Sequence, residues 1–332
     1  MQFTLDELDA AAALVHRQMD PTPQYDWPQI SAATGVETWV KHENHAPVGA
    51  FKARGAITFI DWLRRTRPDC PGIITATRGN HGQAQARAAG RAGLRAVVYV
   101  PRGNSPEKNA AMRAFGAELR EVGEDFDAAR EAAMRAAAAE GLYPVPPFHR
   151  ELVRGVATYG LEFLRAAPPL DTVYVPIGCG SGICGVIAAR DALGLATEVV
   201  GVVATGAAAA KLSAESGRLT ETEAARTFAD GMAVRVPVQA ALDISRPGPD
   251  GCGAARILAV DDDAIADAVR LIFAATHNVA EGAGAAALAA LMQDGARAGG
   301  GAGAGRVGII LSGGNIDSDR FAAVLSGHTP GP

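Results

Sequence analysis

The sequence predicts an α/β fold of two open, parallel-sheet lobes with helices on both faces. Three observations carry this. Short runs rich in Val and Ile alternate with Ala-rich runs over most of the 332 residues, the order expected of strand–helix–strand units. The strand-like runs are apolar at nearly every position, as in strands buried on both faces. Prolines cluster at 144–147, a crossing point between two lobes. A hydrophobic content of 48% and 39 glycines provide for a core and many tight turns, and argue against disorder.

In chain order, MQFTLDELDAAAALVHRQMD (1–20) reads as an acidic amphipathic helix without the basic start and apolar centre of a signal peptide. ETWVKHE (37–43) is the first clear strand. AFKARGAITFIDWLRR (50–65) has apolar residues at helical spacing (Phe51, Ile57, Phe59, Ile60, Leu63), and the basic Arg64-Arg65-Thr66-Arg67 run closes it in agreement with the helix dipole. Strands GIITAT (72–77) and RAVVYVP (95–101) flank the helical NHGQAQARAAGRAG (80–93). SPEKNAAMRAFGA (105–117), DFDAAREAAMRAAAAEG (125–141) and GVATYGLEFLRAA (155–167) are helices, and DTVYVPIG (171–178) and EVVGVVA (198–204) are strands. Asp261-Asp262-Asp263 supply the N-cap and first-turn carboxylates of AIADAVRLIF (264–273) and are not read as a cation site. After the helix EGAGAAALAALMQDG (281–295), the low-complexity GARAGGGAGAGR (295–306) is expected to be a flexible loop before the last strand, RVGIILSGG (306–314).

Composition excludes several classes of function. Net charge is −5 and no basic patch stands out, so a nucleic-acid surface is not expected. No apolar stretch is long enough to span a bilayer. The four cysteines lack paired C-x-x-C spacing and read as thiols in a reducing cytoplasm. His42-Glu43-Asn44-His45 is one residue short of the H-E-x-x-H spacing that places two zinc ligands on one helical face.

In open parallel sheets, ligands bind where strand ends lead into helices. Three such junctions stand out: TATRGNHGQ (75–83), VPIGCGSGICG (175–185) and IILSGGNID (309–317). In the second, Gly178, Gly180 and Gly182 let backbone N–H groups converge at a helix start, a cradle for an anion such as phosphate. Gly180–Gly185 also fits the dinucleotide fingerprint GxGxxG, but the next strand ends at Ala204-Thr205 without the expected acid. A nucleotide-dependent oxidoreductase therefore stays open as the lesser alternative. Lys52 is the other anomaly, since a cation in the first turn of a helix opposes the dipole. Its position and apolar neighbours lower its pKa, which suits an amine that must form a Schiff base and move a proton near neutral pH. A lysine beside a phosphate cradle points to pyridoxal 5'-phosphate.

With these residues in place, the chain resembles the fold-type II pyridoxal-phosphate enzymes of the serine/threonine dehydratase family, from about Pro21 to Ile316. The resemblance is carried by Gly49-Ala50-Phe51-Lys52-Ala53-Arg54-Gly55-Ala56, by Thr77-Arg78-Gly79-Asn80-His81-Gly82-Gln83, by the glycine cradle, and by Ala229-Asp230-Gly231-Met232-Ala233-Val234, Glu281-Gly282-Ala283-Gly284 and Ser312-Gly313-Gly314-Asn315, in family order. It implies a large cofactor-binding domain (1–72 with 148–332) and a small mobile domain carrying the substrate loop (73–147). It further implies that Lys52 is the catalytic, cofactor-bearing lysine. Phe51, Asn80, Gly178, Cys179, Gly180, Ser181, Gly182, Gly231, Glu281 and Ser312 complete the cofactor site, with Asn80 on the 3-oxygen and Ser312 on the pyridine nitrogen. Thr77, Arg78, Gly79, Asn80 and His81 receive the substrate.

The implied activity is β-elimination from an L-β-hydroxy amino acid, serine- or threonine-like or as bulky as phenylserine, to a 2-oxo acid and ammonia. A β-replacement synthase is the nearest alternative. A cytoplasmic homodimer is expected. Two departures from the family pattern matter. Arg78 replaces a small residue and, always charged, is a poor proton-transfer base. The segment Thr205–Lys211 carries none of the carboxylates that some relatives use for a divalent cation, so no metal is expected.

Overall fold

In the computed structural model, which describes residues 1–124, 126–248, 251–295 and 305–332, the apolar runs form two separate sheets. The strands among these residues are β1 (Gln24–Asp26), β2 (Glu37–His42), β3 (Gly72–Ala76), β4 (Arg95–Val100), β5 (Glu118–Glu121), β6 (Tyr143–Pro144), β7 (Thr172–Pro176), β8 (Glu198–Ala204), β9 (Arg256–Val260) and β10 (Arg306–Leu311). One sheet runs β1-β2-β10-β7-β8-β9 and the other β5-β4-β3-β6. Pairing is parallel throughout except for β1, which lies antiparallel on β2. The all-parallel expectation is corrected at that edge, where three residues, Gln-Tyr-Asp, carry no apolar signal.

The uninterrupted apolar strands have a direct cause. In β7, Tyr174 packs into one core with Val200 and Val202 of β8 and Ile309 of β10. Val173 and Val175 point the other way, into a second core with Val199, Val203 and Ile310. Each face of the larger sheet is covered, and each such side chain contributes about 1.5–3 kcal/mol by leaving water. The covering helices are small-residue helices. Gly282–Asp294 is buried from Gly282 to Leu291, and Ser181–Ala192 is buried from Ser181 to Arg190. Among the described residues, no helix is long and apolar enough to cross a membrane.

Boundaries shift where side chains intervene. The helix expected from residue 155 starts at Arg150, because the His149 ring nitrogen accepts the Glu151 N–H at 3.1 Å and caps it. The last strand ends at Leu311 and not at 314. Beyond it, Phe51 N–H donates to Ser312 O at 3.1 Å, Ala50 bridges Gly313, and Gly314 N–H donates to Gly49 O at 2.9 Å. Two motifs more than 250 residues apart in sequence are thus joined backbone to backbone. Most of the glycine-rich stretch 295–306 lies outside the described residues, as does Asp125, the first residue of the expected helix 125–141.

Candidate active site

The site gathers where these two joined loops meet the glycine turn and the loop after β3. Lys52 is the first residue of the helix Lys52–Thr66. Its Nζ donates to Ser181 Oγ at 3.0 Å, and Ser181 opens the helix that follows the glycine turn. The chain has four lysines. Lys41 pairs with Glu162, Lys108 with Asp230 and Lys211 with Glu215, whereas Lys52 has a hydroxyl for its partner. Burial lowers its pKa, opposed by the nearby Cys179 and Glu281. Lys52 is held in place by its own helix: Arg54, two residues on and fully buried, donates to Glu43 at 2.8 and 2.9 Å, to Glu162 at 2.5 and 2.8 Å and to Thr158 at 3.0 Å.

The glycine turn has the form that an anion cradle needs. Gly180 sits at φ 92°, a left-handed conformation that favours glycine. A Cβ on Gly178 would lie 2.2 Å from Gly231 O, so the cradle and the 229–234 motif touch through bare backbone. Phe51 meets Tyr159 edge-on at 6.0 Å, and Tyr159 OH donates to Gly182 O at 3.1 Å. Cys179 is beside Lys52, its thiol pushed up by burial. Ser312 directly follows β10 and is 4% exposed. A half-buried amine without a carboxylate partner, a glycine turn at a helix start and a neutral serine just past the next strand fit pyridoxal phosphate.

The loop after β3 completes the set. Gly79 N–H donates to Thr77 Oγ1 at 3.1 Å, and Asn80 begins the helix Asn80–Arg91. Asn80 Nδ2 donates to Glu281 Oε1 at 2.7 Å, and Asn315 Nδ2 donates to Asn80 Oδ1 at 2.7 Å. Burial raises the pKa of Glu281, opposed by Lys108, and its Oε2 is buried without a hydrogen-bond partner. Burial, reinforced by the Lys52 charge, lowers His81 to about 3, so its imidazole is neutral; its Nε2 is also buried and unpartnered. Arg78 is the exception. It is exposed and makes no ion pair among the described residues.

Sequence reasoning quoted Asn315 and Asp230 within motifs but assigned them no role, and missed Lys108 altogether. Lys108 Nζ donates to Asp230. Burial works against its charge, but Asp230 and Glu281 more than offset that, and its pKa is raised. A Cβ on Gly79 would lie 2.8 Å from Lys108 Cδ. Its signal was available: like Lys52, it is a cation in the first turn of a helix, Pro106–Ala114. The other tempting clusters are structural. Asp261 caps the Ala264 N–H at 2.7 Å, and Asp262 accepts from Phe228 N–H and Thr227. His42 accepts from Trp27 Nε1 at 2.9 Å, and His45 hydrogen-bonds Asn278 at 2.6 Å.

Comparison with known proteins places this geometry in context. Residues 15–313 match the family described as pyridoxal-phosphate dependent enzymes. The chain is 34% identical to L-threonine ammonia-lyase of Geobacter sulfurreducens over 297 residues, covering 89% of this chain and 71% of that one. Its fold is similar to that of the processed form of threonine deaminase isoform 2 from Solanum lycopersicum, with a TM-score of 0.86 at 27% identity, covering 98% and 94% of the two chains. It is also similar to maize serine racemase, with a TM-score of 0.88 at 26% identity and 98% coverage of both.

Proposed function

The chain belongs to the pyridoxal-phosphate dependent enzymes, and from that premise we propose that it is an ammonia-lyase: an L-β-hydroxy amino acid loses water to give an enamine, which tautomerises to an imine, and one water hydrolyses the imine to a 2-oxo acid and ammonia. The observation that carries this reading is the half-buried Lys52 amine, without a carboxylate partner and 3.0 Å from the hydroxyl that heads the glycine-turn helix. When bound, pyridoxal phosphate supplies an electron-withdrawing ring that makes the substrate α C–H acidic.

The residues of the chain do the rest. Lys52 would hold the cofactor through its amine. Its Nζ takes the α-proton, and its lowered pKa keeps a lone pair available near neutral pH. The N–H groups of 178–182 would hold the phosphate at a helix start. Ser312 would be a neutral partner for the ring nitrogen, which suits prompt loss of a β-hydroxyl. Thr77, Gly79 and His81 receive the substrate carboxylate at the start of their helix, and residues 73–147 form a small lobe that closes over it. The working unit is a cytoplasmic homodimer.

The substrate class is serine- or threonine-like. Arg78 widens it to threo-3-hydroxyaspartate, whose second carboxylate a guanidinium would meet, or to phenylserine if the side chain stays in solvent. The test is a panel of L-serine, L-threonine, threo-3-hydroxyaspartate and phenylserine, assayed for 2-oxo acid and ammonia. At least one should be turned over, with little D-enantiomer formed, because Arg78 cannot serve as a second proton donor. Oxo acid from none of the four would defeat the lyase reading.

No divalent cation is needed in this reading, since Thr205–Lys211 carries no carboxylate and Lys211 is held by Glu215. EDTA should leave activity and Tm unchanged; a large loss restored by Mg²⁺ would contradict this.

A further inference from the structure

Asn80 is gripped on both sides of its amide. Asn315 Nδ2 donates to Asn80 Oδ1 and also to Val48 O, each at 2.7 Å, so both amide hydrogens of Asn315 are committed. Asn80 Nδ2 in turn donates to Glu281 Oε1 at 2.7 Å. A flipped Asn80 would set donor against donor and acceptor against acceptor, so the amide has one orientation. In that orientation one Nδ2 hydrogen remains uncommitted.

The surroundings are shaped for this grip. Glu281 occupies the cap position of the helix Gly282–Asp294 but makes no capping bond. Its carboxylate turns to Asn80 instead, leaving Oε2 buried and unpartnered, an arrangement that costs free energy unless something else requires it. A Cβ on Gly313 would lie 2.3 Å from Glu281 Oε1, and a Cβ on Gly49 would lie 2.5 Å from Asn315 Oδ1. Two motif glycines therefore leave room for the two side chains that hold Asn80.

We propose that Glu281 and Asn315 are positioning residues that lock the Asn80 amide so that its free Nδ2–H faces the 3-oxygen of the bound cofactor. This rests on the reading that the Lys52 pocket holds pyridoxal phosphate. A hydrogen bond donated to the charged form of an oxygen favours that form, so the lock sets the protonation of the bound cofactor and with it the absorbance.

The experiment compares holoenzyme spectra, at matched cofactor content and far-ultraviolet circular dichroism, for wild type, Asn80→Ala, Glu281→Ala, Glu281→Gln, Asn315→Ala and the Asn80→Ala/Glu281→Ala pair. Removing either gripping side chain should lower the ratio of visible to near-ultraviolet absorbance several-fold, as should Asn80→Ala. Glu281→Gln, which keeps an acceptor oxygen, should retain the wild-type ratio. The double variant should shift no further than Asn80→Ala alone. A wild-type ratio in Asn315→Ala or Glu281→Ala, or full additivity in the double variant, would overturn the lock. Should Glu281→Ala not fold, the contrast between Glu281→Gln and Asn315→Ala decides the matter. A wild-type protein that takes up no cofactor would instead refute the function, a distinguishable outcome.

Discussion

Lys52 differs from the other lysines in having a hydroxyl, Ser181 Oγ, as its partner, while the acid that acts on it, Glu281, accepts from Asn80. Two residues on, Arg54 ties its helix to Glu43 and Glu162. Removing Arg54 would leave Glu43 buried without its cation, while Glu162 keeps Lys41. Arg54→Met should therefore lower stability by about 3–5 kcal/mol, read as a fall in the urea midpoint at unchanged slope. A loss under about 1 kcal/mol would show that the network does not hold the helix of Lys52. At this scale the sequence was partly legible. Lys52 and Asn80 could be found because each breaks or marks a local pattern at a helix start. The grip on Asn80 could not, since its partners lie 201 and 235 residues away and no spacing rule reaches that far.

At the scale of elements, what the sequence revealed depended on burial. β4, β7, β8 and β10 are apolar along their length because they are covered on both sides. The strand β5, Glu-Leu-Arg-Glu, lies at an edge with its ends exposed, and β6 is two residues long; neither carries a pattern to read. The helix Pro106–Ala114 shows how elements of the proposed lobes meet. Ser105 donates to Asp317, Lys108 to Asp230, and Glu107 accepts the Ser318 N–H at 3.0 Å. These contacts tie residues of 73–147 to the large sheet region and hold the loop at Gly79 in place. Lys108→Ala should loosen that attachment, with faster amide exchange across 79–82 and a raised KM. Unchanged exchange there would argue against 73–147 moving as a lobe governed by this pair.

For the whole molecule, acid is the expected weakness. Burial, with His45 nearby, lowers His42 to about 4, below its unfolded value of 6.5. The unfolded chain therefore binds the extra proton first, and stability is lost as pH falls from 6.5 towards 4, by on the order of 3 kcal/mol. Glu162 acts in the same direction at lower pH. Burial opposes its charge, but Arg54 and Lys41 outweigh that and lower it to about 2, so its contribution is lost below pH 4.5. Tm should drop steadily from pH 6.5 to 4, and His42→Asn should flatten the upper part of that slope; a Tm independent of pH over this range would contradict it. The central claim concerns one amine among four. Borohydride reduction of the holoenzyme followed by peptide mass spectrometry shows which lysine carries the cofactor. The account predicts the phosphopyridoxyl mass on the peptide containing Lys52. The same mass on a peptide containing Lys41, Lys108 or Lys211, with Lys52 unmodified, would contradict it.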